Sequence, residues 1–312
     1  MNIVIYGTGG VGGYFGARLA QAGNIVTFIA RGQHLEAIQQ KGLQLKSIKG
    51  DHLVYPANAT SNISEVKNID LILICVKTWQ LSETAENIKA VLNENTMVIS
   101  LLNGVENDQI VCSILPKQHV LGGLCKVVSK MEEYGVINHF SYDPTIVFGE
   151  LNNEKTSRAL QLEQTFLNAG ITSKLATNIT QEIWTKFLFI TTISAIGALT
   201  RSTIGEMIVS PEIKKIMYQT AEEIVAIAKA KGIILSDDII EKQFKLIENQ
   251  PFNTTASLQR DIMQGKPSEL ESQNGTIVRM GIEFGIPTPV NSFIYNCLLP
   301  QENRARESSS MF

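Results

Sequence analysis

The chain has 312 residues, of which 44% are hydrophobic and 18% charged, and its formal net charge is −3 at pH 7. This composition is ordinary for a soluble globular protein, and the absence of a basic block excludes nucleic acid or an anionic membrane as the expected partner. A chain of this length is expected to fold as two domains, because a single core rarely grows so large.

The first 22 residues predict a dinucleotide-binding unit. Asn2–Tyr6 is a short apolar run typical of a buried parallel strand, and GTGGVG and then a helical pattern follow it directly. In this fingerprint the glycines allow a tight turn, close approach of a pyrophosphate and close packing of helix on strand. The alternative is a glycine-rich turn that binds nothing. The residues expected to hold the cofactor phosphates, on backbone N–H groups at the helix start, are Gly7, Thr8, Gly9, Gly10, Val11 and Gly12.

The second strand, predicted over 24–30, indicates which dinucleotide is bound. NAD-binding proteins usually carry Asp or Glu at its end, where the carboxylate holds the ribose 2′-OH. No acidic residue lies between Gly23 and Leu35, and Arg31 stands directly after the strand. Because a guanidinium pairs well with a 2′-phosphate, Arg31 predicts NADP(H) rather than NAD(H). The alternative is a solvent-exposed turn arginine.

Two further strands end in polar residues that are candidates for the cofactor site. The apolar run 71–76 is followed by Lys77, and the run 96–100 is followed by Asn103-Gly104. Ligands bind at the carboxyl ends of strands in open α/β sheets, so we expect Lys77 to meet a phosphate or ribose and Asn103 to reach the nicotinamide ribose or a substrate oxygen. The alternatives are a surface lysine and a simple Asn-Gly turn.

The other elements of the first half are predicted from short periodic runs. We expect helices over 35–41, 81–92 and 153–168, a small hairpin from 43–47 and 52–56, and strands over 119–128, 135–140, 145–149 and 171–175.

Past Thr177 the apolar residues recur at helical spacing. The pattern predicts helices over 179–199, 211–231, 237–248, 257–264 and 271–284, then a polar, frayed tail over 301–312. The predicted fold class is therefore α/β, with an N-terminal Rossmann-type dinucleotide-binding domain followed by an all-α C-terminal domain. We place the NADP-binding domain at 1–177 and the helical domain for substrate and dimerisation at 178–312.

The sequence also predicts a cytoplasmic enzyme without a metal. The four cysteines have no CxxC or metal spacing, so free thiols in a reducing compartment are expected. The first strand begins at once and leaves no room for a signal peptide, and the apolar run 187–199 is too short to cross a membrane. The high apolar content of the helical domain predicts a homodimer.

Placed together, these pieces resemble the ketopantoate reductase family (2-dehydropantoate 2-reductase) over about residues 1–300. The resemblance rests on GTGGVG, Arg31, Lys77 and the LLNGVEN stretch. Two later stretches are more specific, namely IWTKFLF at 183–189 and SLQRDIMQGKPSELES at 257–272.

The resemblance implies NADPH-dependent reduction of a 2-oxo acid, ketopantoate, to a 2-hydroxy acid on the route to pantothenate. Lys186 matches the family's catalytic lysine, and Glu269 matches a glutamate that touches cofactor or substrate. Asn103 matches the asparagine at the cofactor–substrate junction, and Ser257 a serine that holds substrate. Without the resemblance, Lys186 is a snorkelling helix lysine and Glu269 an exposed acid at a helix start.

The chain departs from the family pattern after the lysine. Members of the family tend to carry asparagines four and eight residues after it, and here Ile190 and Ser194 stand at those positions. Ser194 is kept as a substrate candidate, but its side chain is shorter and Ile190 cannot form a hydrogen bond. The departure leaves the identity of the 2-oxo acid open more than the reaction class.

Three functional alternatives stay open from the sequence. The first is a reductase that acts on ketopantoate or on another 2-oxo acid. The second is an opine- or glycerol-phosphate-type dehydrogenase with the same architecture. An opine enzyme usually needs a His–Asp pair, yet all four histidines precede the helical domain. The third alternative is a non-enzymatic NADP-binding regulator, which would not need Lys186 with Glu269.

Overall fold

The computed structural model describes residues 1–310, which divide into two compact units. The first unit contains residues 1–102 and 106–179. The second contains Asn103–Val105 and the chain from Thr180 onward. The short stretch 103–105 therefore belongs to the second unit although it follows a strand of the first.

The first unit holds one mixed sheet and the helices that cover it. Its described strands are β1 (Asn2–Tyr6), β2 (Ile25–Ile29), β3 (Leu43–Ser47), β4 (His52–Val54), β5 (Asn58–Thr60), β6 (Leu71–Ile74), β7 (Met97–Ser100), β8 (Val120–Glu133), β9 (Val136–Glu150) and β10 (Thr172–Leu175). Its described helices are α1 (Gly10–Gln21), α2 (Gly32–Lys41), α3 (Leu81–Lys89), α4 (Asn107–Ile114) and α5 (Ser157–Asn168).

The strand order across the sheet is β4-β3-β9-β8-β7-β6-β1-β2-β5, and β10 also pairs with β9. The pairs β3–β4 and β8–β9 are antiparallel and the other pairs are parallel. Every residue of β6 and β7 is buried, as expected of parallel strands covered on both faces. The predicted dinucleotide-binding α/β fold is confirmed.

Several boundaries in this unit differ from the prediction. The runs expected as separate strands over 119–149 form the two long antiparallel strands β8 and β9. The helix expected from 153 begins at Ser157, because the Thr156 hydroxyl caps it by accepting from the Ala159 N–H at 3.3 Å. The short elements β5 and α4 were not predicted.

The second unit is helical, as predicted. Its described helices are α6 (Ile179–Thr200, shared at its first residue with the first unit), α7 (Ile204–Val209), α8 (Pro211–Ala230), α9 (Ile239–Glu248), α10 (Ser257–Met263), α11 (Thr276–Phe284) and α12 (Pro289–Ser310). A π-helical turn, Glu271–Gly275, runs directly into α11. Its core is built from fully buried side chains such as Trp184, Phe187, Ile224 and Ile277.

The prediction of a frayed tail from Gln301 was wrong. This segment continues α12 as far as Ser310, and residues 311–312 lie outside the described part of the chain. Glu302 is 3% exposed and pairs with Arg306 one turn later, with Arg306 Nε 2.7 Å from its Oε1. The polar composition predicted a tail, but the structure shows a helix with a buried carboxylate that pairs with a half-buried arginine.

Helix α6 is long and apolar enough, at 22 residues and a mean hydropathy of 1.4, to cross a membrane by length and composition alone. The predicted apolar run 187–199 was shorter than the helix that contains it. Of its most apolar window, 61% is buried inside the protein, which is the pattern of a core helix.

Candidate active site

The glycine-rich loop after β1 combines crowded positions with one open position, Gly9. Gly7 has φ of +100°, and a Cβ there would lie 2.9 Å from the carbonyl carbon of Cys75. A Cβ on Gly12 would lie 2.1 Å from the Gly7 carbonyl oxygen, so only glycine lets α1 pack this closely. A Cβ on Gly9 would meet nothing within 4 Å. The loop therefore presents open space at Gly9, where a ligand can approach the main chain.

The start of α1 is suited to an anion. Gly9 is the N-cap, no side chain among the described residues caps the helix, and its first turn carries no acid. The backbone N–H groups of a first turn have no partner within the helix, and the helix dipole favours negative charge there. Val11 is half-buried within this turn. A Cβ on Gly10 would lie 2.6 Å from the Ser129 carbonyl oxygen, so β8 lies directly against the helix start.

Thr8 and His34 connect the glycine-rich loop to neighbouring elements by hydrogen bonds. The Thr8 hydroxyl donates to the Ile29 carbonyl at 3.0 Å, and the Thr8 carbonyl accepts from His34 Nε2 at 2.7 Å. His34 Nδ1 accepts from the Gly135 N–H at 3.0 Å, so the proton of the neutral ring lies on Nε2. Burial lowers the pKa of His34, which favours this neutral form. Sequence reasoning missed His34, because nothing in the local pattern points to a partner about a hundred residues away.

Arg31 and Lys77 follow the two strands that flank β1. Arg31 lies two residues beyond β2, is 63% exposed and has its Nη2 3.6 Å from Glu83 Oε1. Lys77 lies three residues beyond β6, is half-buried and has its Nζ 5.8 Å from the centre of the Trp79 ring. Both side chains therefore arise at the carboxyl edge of the sheet, on either side of the glycine loop.

Asn103 and Glu269 are joined, although 166 positions separate them in the sequence. Asn103 Nδ2 donates to Glu269 Oε2 at 2.9 Å, and both residues belong to the second unit. Asn103 reaches this unit because Val105, two residues later, is buried in the helical core. Glu269 is only 7% exposed, so its carboxylate is held in a largely desolvated setting beside an amide.

The segment before Glu269 is fixed by the last helix. Ser268 donates its N–H to both carboxylate oxygens of Glu302 at 3.0 Å and its hydroxyl to Glu302 Oε2 at 2.5 Å. Arg306 Nη2 donates to the Ser268 carbonyl at 3.0 Å. The main chain at Glu269 is thus positioned by groups from the part of α12 that had been expected to fray.

Lys186 and Ser194 both lie on α6. Lys186 is half-buried in the first half of the helix. Ser194 is fully buried, and its hydroxyl donates to the Ile190 carbonyl one turn earlier at 2.5 Å. While this bond is intact, the Ser194 oxygen can only accept a hydrogen bond, so a substrate group that meets it must be a donor.

Ser257 begins α10 and is half-buried. Gln259, two residues on, closes a capping contact with the Ala256 N–H at 3.3 Å and donates to the Ser202 carbonyl at 2.8 Å. A Cβ on Gly197 of α6 would lie 2.7 Å from Gln259 Oε1. The start of α10 is therefore held against the same helix that carries Lys186.

Gln273 is a second residue that sequence reasoning missed. It is fully buried within the π-helical turn, and neither end of its amide has a hydrogen-bond partner among the described residues. Its backbone N–H donates to the Glu269 carbonyl at 3.1 Å, so the turn is hydrogen-bonded directly to the Glu269 main chain. π-Helical turns occur often at functional sites.

Within residues 1–310, no group of three or more His, Cys, Asp or Glu side chains is arranged to hold a metal ion. All four cysteines are free; Cys125 is buried and Cys297 exposed.

Two family models together match most of the chain. Residues 3–153 match the one described as ketopantoate reductase PanE/ApbA, and residues 178–302 match its C-terminal counterpart. A curated relative, the 2-dehydropantoate 2-reductase of Archaeoglobus fulgidus, is 30% identical over 296 residues, which is 95% of this chain and 96% of that protein.

Solved structures give the same picture of the fold. A PanE/ApbA family ketopantoate reductase from Ralstonia eutropha superposes with a TM-score of 0.90 at 32% identity, covering 98% of this chain and all of that one. D-mandelate dehydrogenase in complex with NADH and anilino(oxo)acetate superposes with a TM-score of 0.89 over the same shares, and its 23% identity supports likeness of fold alone.

Proposed function

The chain belongs to the ketopantoate reductase family, and from that membership we propose that it reduces a 2-oxo acid, ketopantoate first, to the 2-hydroxy acid with NADPH. The observation that carries the proposal is the 2.9 Å contact between Asn103 and Glu269. These residues match the family's positions at the cofactor–substrate junction, and they come together in one unit from distant parts of the chain.

The cofactor part of the proposal is supported by the loop around Gly9. The open space there and the uncapped start of α1 fit a pyrophosphate, and Arg31 supplies a cation for a 2′-phosphate. Lys77 adds a second positive charge at the same sheet edge. A reduced nicotinamide bound by these residues would supply the hydride.

In the proposed reaction, Lys186 supplies the proton and Glu269 supplies the orientation. Reduction of a ketone places negative charge on its oxygen, so a nearby cation that can also give a proton lowers the barrier. We assign this role to the Lys186 ammonium. Glu269 fixes the orientation of the Asn103 amide. Because an ionised carboxylate can only accept hydrogen bonds, the amide nitrogen of Asn103 must face the carboxylate of Glu269. Ser257 is assigned a hydrogen bond to substrate.

The positions four and eight residues after Lys186 offer a substrate little hydrogen bonding, because the Ile190 side chain has no polar atom and the Ser194 hydroxyl already donates within its helix. These two observations favour, as the second candidate, a 2-oxo acid that lacks the hydroxyl group of ketopantoate. A cytoplasmic location and a homodimer stay predictions.

The test is a panel of 2-oxo acids with NADPH, followed by loss of the nicotinamide absorbance. The panel contains ketopantoate, its analogue without the hydroxyl, and an aromatic 2-oxo acid. We expect turnover of at least one, and Lys186→Ala should lower kcat by about 10²–10⁴-fold, the usual contribution of a general acid. NADPH binding should persist in that variant.

The matched control is Lys215→Ala, which removes an exposed lysine from α8. It should leave turnover unchanged. If no 2-oxo acid is reduced while NADPH binds, the reductase assignment fails and the NADP-binding regulator becomes the better hypothesis.

A further inference from the structure

Glu83 is the acidic residue that faces Arg31. Their ion pair joins Arg31 Nη2 to Glu83 Oε1 at 3.6 Å, and both side chains are more than 60% exposed. Glu83 lies in the first turn of α3, which follows β6 through a short 3₁₀ turn. The acid therefore arises from a different crossover than the arginine it meets.

Sheet topology places this pair beside the glycine loop. β2 and β6 pair with β1 on its two sides, and Ile29 and Ile74 both align with Tyr6, the last residue before the loop. The segments that carry Arg31 and Glu83 thus leave the sheet at the edge where the loop turns, and their side chains meet across it. This is the edge at which open α/β sheets bind their ligands.

A carboxylate and a guanidinium at one ribose favour different cofactors. The carboxylate accepts a hydrogen bond from a 2′-OH and repels a 2′-phosphate, whereas the guanidinium attracts the phosphate. The usual acidic position after β2 has no acid here, yet Glu83 supplies one from α3. Both kinds of recognition group are therefore present.

We propose that Glu83 is a cofactor-selectivity residue that weakens the preference for NADPH set by Arg31 and keeps NADH usable. The inference rests on the proposed function, in which Arg31 meets the 2′ position of the cofactor. Glu83 weakens NADPH binding in two ways. It repels a 2′-phosphate, and it holds the guanidinium in an ion pair that the phosphate must displace.

The experiment measures dissociation constants of NADPH and NADH for the full chain without substrate, from nicotinamide fluorescence. In Glu83→Gln, which keeps the size of the side chain, Kd for NADPH should fall by about two- to fivefold, the factor that an exposed charge contact provides. Kd for NADH should not fall. Because salt screens exposed charges, the decrease in Kd for NADPH in Glu83→Gln should be smaller at high salt.

The control is Glu86→Gln, which removes the same charge one turn further along α3 at another exposed position. An equal change in both variants, or no change in Glu83→Gln, would overturn the proposal. A further variant, Arg31→Ala, distinguishes failure of the role assigned to Glu83 from failure of the proposed function. If Arg31→Ala removes the NADPH preference while Glu83→Gln has no effect, only the role of Glu83 is wrong. If Arg31→Ala also leaves the ratio unchanged, or neither cofactor binds, the assigned cofactor site itself fails.

Discussion

Gly9 and Gly12 allow cofactor binding and folding to be separated within one loop. An alanine Cβ at Gly12 would lie 2.1 Å from the Gly7 carbonyl oxygen and 2.7 Å from Ile5 Cγ2, both far inside van der Waals contact. Since the nearest atom belongs to the main chain, α1 or the loop must move. Overpacking of this kind costs about 1–3 kcal/mol, and we expect Gly12→Ala to lower the free energy of unfolding by an amount toward the upper end.

Gly9→Ala should behave in the opposite way. The backbone of Gly9 has φ of −81° and ψ of −160°, which alanine adopts readily, and its Cβ would meet nothing within 4 Å. The loss of glycine at an N-cap and the smaller entropy of the unfolded chain largely cancel, so stability should change by less than about 1 kcal/mol. The new methyl group occupies the space assigned to the pyrophosphate. Losing one charge-assisted N–H contact is worth about 1.5–3 kcal/mol, or roughly 10- to 150-fold in Kd.

The assay pairs urea unfolding of each variant without cofactor with titration of NADPH by fluorescence. Gly9→Ala should unfold like the unmutated protein but bind NADPH poorly, whereas Gly12→Ala should lose both properties. The reasoning is refuted if Gly9→Ala binds NADPH normally, or if it destabilises the protein as much as Gly12→Ala does.

Burial raises the pKa of Asp108 from 3.8 to about 7, so the folded chain holds a proton that the unfolded chain has released, and stability should fall as pH rises through this range. In Asp108→Asn, Tm should fall less as pH rises, and above pH ~7 it should exceed that of the unmutated protein. If the variant showed the same dependence of Tm on pH, Asp108 would not be the group responsible. The buried Gln273 amide has no hydrogen-bond partner within residues 1–310, so Gln273→Met should raise the free energy of unfolding in urea by about 1 kcal/mol. A loss of stability would show that the amide is hydrogen-bonded in solution. The double change Ile190→Asn with Ser194→Asn should raise kcat/KM for ketopantoate by about one to two orders of magnitude, with no gain for the analogue without the hydroxyl, because each new hydrogen bond adds about 0.5–1.5 kcal/mol. Equal gains for both substrates would show that this helix face does not read the hydroxyl.

The sequence by itself determined the elements whose cause is local. The strand, glycine loop and helix over 2–21 follow from apolar runs and from glycines at positions where a side chain would collide with the main chain. The change to helical spacing after Thr177 likewise predicted the helical second unit, since periodicity is a property of neighbouring residues. The predicted carboxyl ends of β2 and β6 likewise placed Arg31 and Lys77 at one sheet edge.

Only the tertiary structure decided which distant groups meet. The Asn103–Glu269 contact, the bracing of Thr8 by His34 and the ion pair between Arg31 and Glu83 each join separate elements of the chain. The last ten residues described were expected to fray because they are polar, yet they are helical, and Glu302 among them is buried and hydrogen-bonded to Ser268. A local pattern reports how a residue relates to its neighbours in sequence. A long-range contact depends on how whole elements pack, and in this protein that packing fixes the geometry of the candidate site.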